Sequence, residues 1–401
     1  MSSEGFNEMN ADADGADAVK NRVCSSWSAS GWRVAAVLIA AVASGAVRAD
    51  ETPMELDSVV VGDEGIEAVP VQDPAMAGVP DWSGPAPEPI PCEPSGCARA
   101  KQCGPRWDVT VDALMLWQGN AQSLPLLVTP TGSPVANAQD LQTQMAGGVR
   151  VGLIRSLGER YAIEGNYFQA RPFDASEYVP ASGEPYTLTN TGNLTFNDIE
   201  SATLTSNGWI QSAELNWRKN ECWSPITWLA GFRWVELNSQ VNLDYRFVNA
   251  NPDESGTGLI NTNVGNNLYG GQMGADMRLW NKGGRWRANA VGKAGIFYNS
   301  ASFQRSTAGR VTDAGKPSTY GTVAATADQT SFFGEVGLNS TYRITDWLAW
   351  RAGYTVMWAA GVAVAPQQLP LNTFGPPGTA TINTNGSVLL HGVTTGIEAR
   401  W

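Results

Sequence analysis

Between Tyr269 and Leu279 every second residue is apolar or glycine: Tyr269, Gly271, Met273, Ala275, Met277 and Leu279 alternate with Gly270, Gln272, Gly274, Asp276 and Arg278. A period of two puts the two sets on opposite faces of a strand. Asn281, Lys282, Gly283 and Gly284 then form a turn. After it Trp286, Ala288, Ala290, Gly292, Ala294, Ile296 and Tyr298 share one face, against Arg285, Arg287, Asn289 and Lys293. Paired strands of about 11–14 residues exceed the five or six usual in soluble sheets. They suit a tilted bilayer crossing, which needs about 9–11 residues plus some overhang. Trp280 and Trp286 flank the turn and Tyr269 and Tyr298 sit at the far ends, so the apolar band has aromatics at both rims.

The same alternation recurs along the chain from Trp107. Trp107–Trp117 carries Val109, Val111, Ala113 and Met115 against Asp108, Thr110 and Asp112. Gln142–Leu153, Arg160–Ala170, Gly208–Arg218 and Ile226–Val248 follow, then the hairpin, then Ser331–Arg343, Trp347–Trp358 and Ser387–Trp401. That makes ten crossings joined alternately by four short turns and five long loops, with both ends on the short-turn side. Single-chain outer-membrane barrels have this even count and this alternation. A second hairpin inside the polar loop 171–207, at TLTN-TGN-LTF, would raise the number to twelve. A further loop is expected at about 302–328. Within Ile226–Val248 the phase flips beyond Glu236, where Leu237, Val241, Leu243 and Tyr245 take the face opposite the tryptophans. Either the strand leaves the bilayer there or it carries a β-bulge. The fold class expected is all-β, a transmembrane up-and-down antiparallel β-barrel of ten, or twelve, strands. A soluble barrel or sandwich also alternates. Its charged face would be Lys/Glu-rich, however, and the polar faces here carry glycine and isolated charges.

Val34–Val47 is the one long apolar run, 14 residues, short of the roughly 20 that a spanning helix needs. Lys20, Arg22 and Arg33 precede it, and Val47-Arg48-Ala49 places small residues at a cleavage site. Residues 1–49 therefore read as a secretory signal peptide, with an uncleaved helical anchor as the alternative. Residues 50–104 form an acidic, proline-rich linker that lacks the apolar surface to offset ordering, and the barrel occupies 105–401. The net charge of −12 argues against nucleic acid as a partner. Export makes disulfides reasonable for Cys92, Cys97, Cys103 and Cys222. Cys103–Cys222 with Cys92–Cys97 is the favoured pairing of three, because Cys103 and Cys222 fall on the same side of the membrane. The C-x4-C-x5-C spacing without a nearby histidine makes zinc the weaker reading, and no metal or cofactor is expected.

Inward positions collect charges of both signs: Glu164, Glu214, Arg218, Arg233, Asp276, Arg278, Arg287, Lys293, Glu335, Arg343, Arg351, Glu398 and Arg400. These residues suit a charged eyelet selecting small solutes. They equally suit a salt-bridge network filling a narrow lumen, since about eight strands leave room only for side chains and 16 give a clear bore. Catalysis by a Ser-His or Asp-His arrangement needs an imidazole. The sole histidine, His391, counts onto the lipid side, so no enzyme is expected.

Three stretches, TWLAGFRWVELN (Thr227–Asn238), NNLYGGQMGADMRLW (Asn266–Trp280) and KAGIFYN (Lys293–Asn299), resemble a family of bacterial outer-membrane β-barrel porins once counted as a domain of unknown function. The resemblance covers about 105–401. It implies an outer-membrane barrel embedded in outer-membrane lipid and names no cargo. Trp401, with Ile397 and Ala399 in phase, is similar to the terminal aromatic signal read by the barrel-assembly machinery. The leading expectation is a porin-like channel for small solutes in the cell outer membrane. The alternative is an envelope-structural or surface-binding barrel with a plugged lumen, acting through its long external loops.

Overall fold

The structure, a computed structural model, describes residues 107–401 except 120–122, 142, 159, 189–197, 222–223, 249–254, 282–283, 312–316 and 370–379. They belong to one compact unit, Cys103–Trp401. The stretches expected to be signal peptide (1–49) and linker (50–104), and Cys92, Cys97, Cys103 and Cys222, lie outside the described residues.

In chain order the first strands are β1 (Trp107–Gln118), β2 (Pro125–Val128), β3 (Pro134–Asn137), β4 (Ala146–Ser156), β5 (Tyr161–Ala170), β6 (Ala175–Val179) and β7 (Thr187–Leu188). The chain continues through β8 (Ile199–Asn220), β9 (Ile226–Val248), β10 (Ser255–Trp280), β11 (Trp286–Val311), β12 (Pro317–Arg343), β13 (Leu348–Val362) and β14 (Gly386–Arg400). Ten of these pair antiparallel in a closed ring, β1-β4-β5-β8-β9-β10-β11-β12-β13-β14. Closure removes the exposed sheet edge that hydrocarbon cannot solvate. At the seam Trp107 N–H donates to Trp401 C=O at 2.9 Å, and Trp401 N–H donates back at 3.1 Å.

The crossings number ten rather than twelve. Among its described residues loop 171–207 holds β6, β7 and the start of β8. Residues 189–196 of the TLTN-TGN-LTF stretch lie outside them, but β5 pairs directly with β8, which leaves no place in the ring for a spanning hairpin between the two. β6 pairs with the upper part of β8, above the stretch where β5 does. The expected loop at 302–328 is mostly strand, because β11 and β12 run 26 and 27 residues and stay paired far above the hairpin core, with one register shift between Thr307 and Ala308. Strands β8 to β12 thus rise well past the aromatic rows as a tall collar.

The outward face confirms its apolar reading. Met273 is 72% exposed and Ile296 69% exposed, with Leu215, Phe232, Val336 and Leu338 also open to the surroundings. Such a band is stable only against lipid. Tyr161, Trp217, Trp228, Trp280, Trp286 and Trp350 stand out on the short-turn side of the band. Trp117, Tyr269, Tyr298 and Trp358 mark its other side. Trp286 packs on Tyr342 and Phe332 on Trp358, ring to ring across neighbouring strands.

Beyond Glu236 the strand β9 has no bulge. It stays in unbroken register with β10 from Ile226 to Val248, and with β8 from Thr227 to Arg246. The flip is a change of surroundings: above the bilayer the outer face is wet and carries Asn238, Gln240 and Asn242, while the inner face is dry.

Candidate functional site: the barrel lumen

The polar face of every strand turns apolar at one height. On β1, Asp112 gives way to Leu114 and Leu116; on β5, Glu164 and Asn166 to Phe168; on β9, Arg233 to Val235 and Leu237. Lys293 gives way to Phe297, Glu335 to Phe333 and Thr355 to Met357. These apolar groups, with Ile210, Leu268 and Leu390, form one buried cluster across the barrel. Below it lies a cavity of about 540 Å³ lined mainly by polar side chains, reaching down to the turn residues Pro225 and Asn281.

The roof of this chamber is a chain of ion pairs that cross the lumen. Glu335 accepts from Arg150 at 2.7 Å and from Arg233 at 2.8 Å. Arg233 also faces Glu214 at 3.6 Å. Lys293 bonds Glu214 and reaches Glu164 at 3.3 Å. Arg218 joins Glu164 to Asp276, the latter at 2.6 Å. Gln272 donates to Glu214 at 2.6 Å, and Asn289 to Asp276 at 2.9 Å. The guanidinium of Arg233 lies 4.5 Å from the ring centre of Phe333, and that of Arg150 lies 5.1 Å from the ring centre of Phe168. Arg233 is 1% exposed. A buried cation of this kind persists only because carboxylate, hydroxyl (Ser212 Oγ, 2.9 Å) and aromatic faces replace its water.

Nearer the short turns a second group lines the walls. Arg287 bonds Glu398 at 2.9 Å, Arg400 pairs with Asp108 at 2.8 Å and with Glu398, and Arg351 faces Asp112 at 3.3 Å.

Above the apolar layer, segments from three long-loop connections fold inward. β2, β3 and β7 make a small sheet. Its residues Leu126, Leu127, Ala136 and Leu188 share a buried cluster with Leu204, Leu243, Ile260, Val264 and Phe303 of the collar. The β13–β14 connection adds a helical turn, α1 (Ala365–Gln368), with Ala365 N–H on Ser239 Oγ at 3.3 Å. Side-chain amides pin its flanks: Asn266 both donates to the carbonyl and accepts from the N–H of Ala363, each at 2.8 Å, and Gln329 donates to Thr384 C=O at 2.8 Å. Gly361 sits at the β13 bulge with φ +76°, a left-handed conformation glycine adopts without strain.

Of the charged residues picked out from sequence, Glu164, Glu214, Arg218, Arg233, Asp276, Arg278, Arg287, Lys293, Glu335, Arg351, Glu398 and Arg400 all line the chamber. Arg343 does not: it is exposed at the short-turn rim, the last residue of β12, where the wall has ended. Sequence reasoning missed Arg150, Asp108 and Asp112 as charged lining, and it missed the apolar layer. The signal for the layer was present in Leu114 and Leu116, in phase with Asp112. His391 stands on the outer face, its Nδ1 2.8 Å from Tyr354 Oη and its ring stacked on Trp117. Among the described residues no group of three or more His, Cys, Asp or Glu side chains is arranged to hold a metal ion.

A closed ring of ten tilted strands with an apolar, aromatic-rimmed exterior and an ionised interior is an outer-membrane β-barrel. Within that class the chain belongs to the family described as putative beta barrel porin-7, whose model matches residues 109–401. No curated protein matches it in sequence. Similar solved structures include the outer membrane protease OmpT from Escherichia coli, 10% identical, covering 74% of this chain and 96% of that one with a TM-score of 0.42. The translocator domain of autotransporter NalP from Neisseria meningitidis is 9% identical over 75% of this chain and 90% of that one, TM-score 0.30. The P. putida toluene transporter TodX is 10% identical over 75% and 90%, TM-score 0.24. Likeness at this level says nothing of activity.

Proposed function

We propose that this outer-membrane barrel is a porin-like channel for small solutes that rests closed, its lumen blocked by the ion-pair roof and the inward-folded plug. One observation carries the reading. Arg233, in mid-lumen, is 1% exposed, and Phe297 beside it is 1% exposed. An open bore would keep inward side chains wet at that height. Below the roof, the polar chamber faces the short turns, which in such barrels lie on the periplasmic side. The plug is made of loop segments rather than wall, so it can leave without breaking the ring.

Planar-bilayer conductance tests this. The native barrel is expected to give no steady ion steps at low voltage. A variant with residues 121–143 replaced by a short Gly-Ser loop, with Phe297→Ala and Phe333→Ala in the apolar layer and Glu335→Gln in the roof, is expected to give them. Steady steps from the native protein would overturn the resting-closed state. Silence from the plugless variant would favour the second reading, an envelope-structural barrel working through its exposed collar. We propose no enzymatic role: an imidazole held by Tyr354 and Trp117 against lipid is poorly placed to serve as a base. A hydrolytic activity lost in His391→Ala would reverse that.

A further inference from the structure

The charges around the chamber do not cancel. Eight basic and seven acidic side chains line it. Each of the seven carboxylates already has a basic partner. Among the described residues, Arg278 is the one lining cation without a carboxylate partner. Its backbone N–H bonds Pro225 C=O at 2.8 Å, fixing the end of β10 beside a short turn, and its side chain is exposed at the chamber mouth. Asp276, the next inward residue up the same strand, is held by Arg218 at 2.6 Å and Asn289 at 2.9 Å.

This arrangement treats the two signs of solute differently. A cation entering from the short-turn side finds every carboxylate in an ion pair. The lining oxygens without a hydrogen-bond donor, Asp108 Oδ1 and Asp112 Oδ1, are buried, so the cation must still displace an arginine and leave it uncompensated in a confined site. An anion meets Arg278 with no pair to break, in a guanidinium geometry that suits two oxygens at once. Arg287 and Arg400, both partly exposed, stand further along the wall. A volume of about 540 Å³ lies within the range of roughly 300–1,000 Å³ common for small-molecule sites.

We infer that the chamber is a binding site for a small oxyanion, a solute bearing carboxylate or phosphate groups, which enters at the short-turn mouth and is captured by Arg278. As a statement about transported solute this rests on the closed-channel reading above; as a statement about binding it needs only the chamber.

The test uses the full chain in neutral detergent micelles at low ionic strength, where the screening length is about 30 Å at 0.01 M salt. Succinate and the diamine putrescine, matched in length and opposite in charge, are titrated calorimetrically. Succinate is expected to bind and putrescine not. Arg278→Gln is expected to weaken succinate by about tenfold, the loss of one charge-assisted contact. Arg343→Gln, at the exposed rim and outside the chamber, is expected to leave it unchanged. Equal binding of both solutes, no binding of succinate, an unaltered Arg278→Gln, or an equal loss in Arg343→Gln would each overturn the inference. A plugless barrel that fails to conduct while the native protein still binds succinate sinks the channel reading and leaves this one standing. Conduction without succinate binding does the reverse.

Discussion

Arg233 Nη1 on β9 meets Glu335 Oε2 on β12 at 2.8 Å, although β10 and β11 lie between their strands in the ring. The pair is a chord across the barrel, and Arg150 on β4 completes it from the far wall at 2.7 Å. Three strands distant along the chain are tied at one carboxylate.

Glu335→Gln should therefore be costly. It leaves buried Arg233 with only Glu214, 3.6 Å away and already bonded to Lys293, as counter-charge, a loss of about 3–5 kcal/mol by the usual cost of breaking a buried pair. The double variant Arg233→Met/Glu335→Leu should recover much of it, since neither buried charge then remains and Arg150 is wet enough to keep its own hydration. Urea unfolding in micelles reads both; a single variant as stable as the native protein would show that the chord holds nothing.

Phe297 packs edge-on to Phe333, ring centres 6.3 Å apart, and lies over Gly270, where an added Cβ would meet it. Phe297→Ala should cost about 3–5 kcal/mol, the range for emptying a packed aromatic site. A drop of less than about 1 kcal/mol would mean that the layer collapses onto the gap.

On β10, Met273 and Asn263 share the outward face at different heights. Met273→Arg should cost about 2–4 kcal/mol, as for a cation at mid-bilayer. Asn263→Arg, on the collar, should stay within about 0.5 kcal/mol of native. Equal costs at the two sites would misplace the membrane boundary.

Trp401→Ala keeps both backbone hydrogen bonds to Trp107 and removes the terminal aromatic alone. We expect fewer assembled barrels in cells, scored as the heat-modifiable band on unboiled gels, with little change in the stability of those that form. Unchanged assembly would remove the terminal signal from the account.

How much of this was legible beforehand differs by face. The period of two marked Tyr269, Met273 and Ile296 as outward, and the alternation of turns and loops yielded ten crossings, because lipid imposes one requirement on every outward position. The lumen imposes none that a single strand can display. Leu114 and Leu116 follow Asp112 on the same face, yet nothing within β1 reveals that Phe168, Val235 and Phe297 arrive at the same height.

The chain alone determined which side of each strand meets hydrocarbon, since that is a local matter of alternating side chains and rim aromatics. Only closure of the ring decided what fills the interior. Lys293 and Glu164 stand 129 residues apart and meet at 3.3 Å, and such partners are chosen by strand register and barrel diameter, quantities that belong to the whole sheet. The same holds for the plug, whose apolar residues in β2 and β7 find a surface to bury against only once the collar surrounds them.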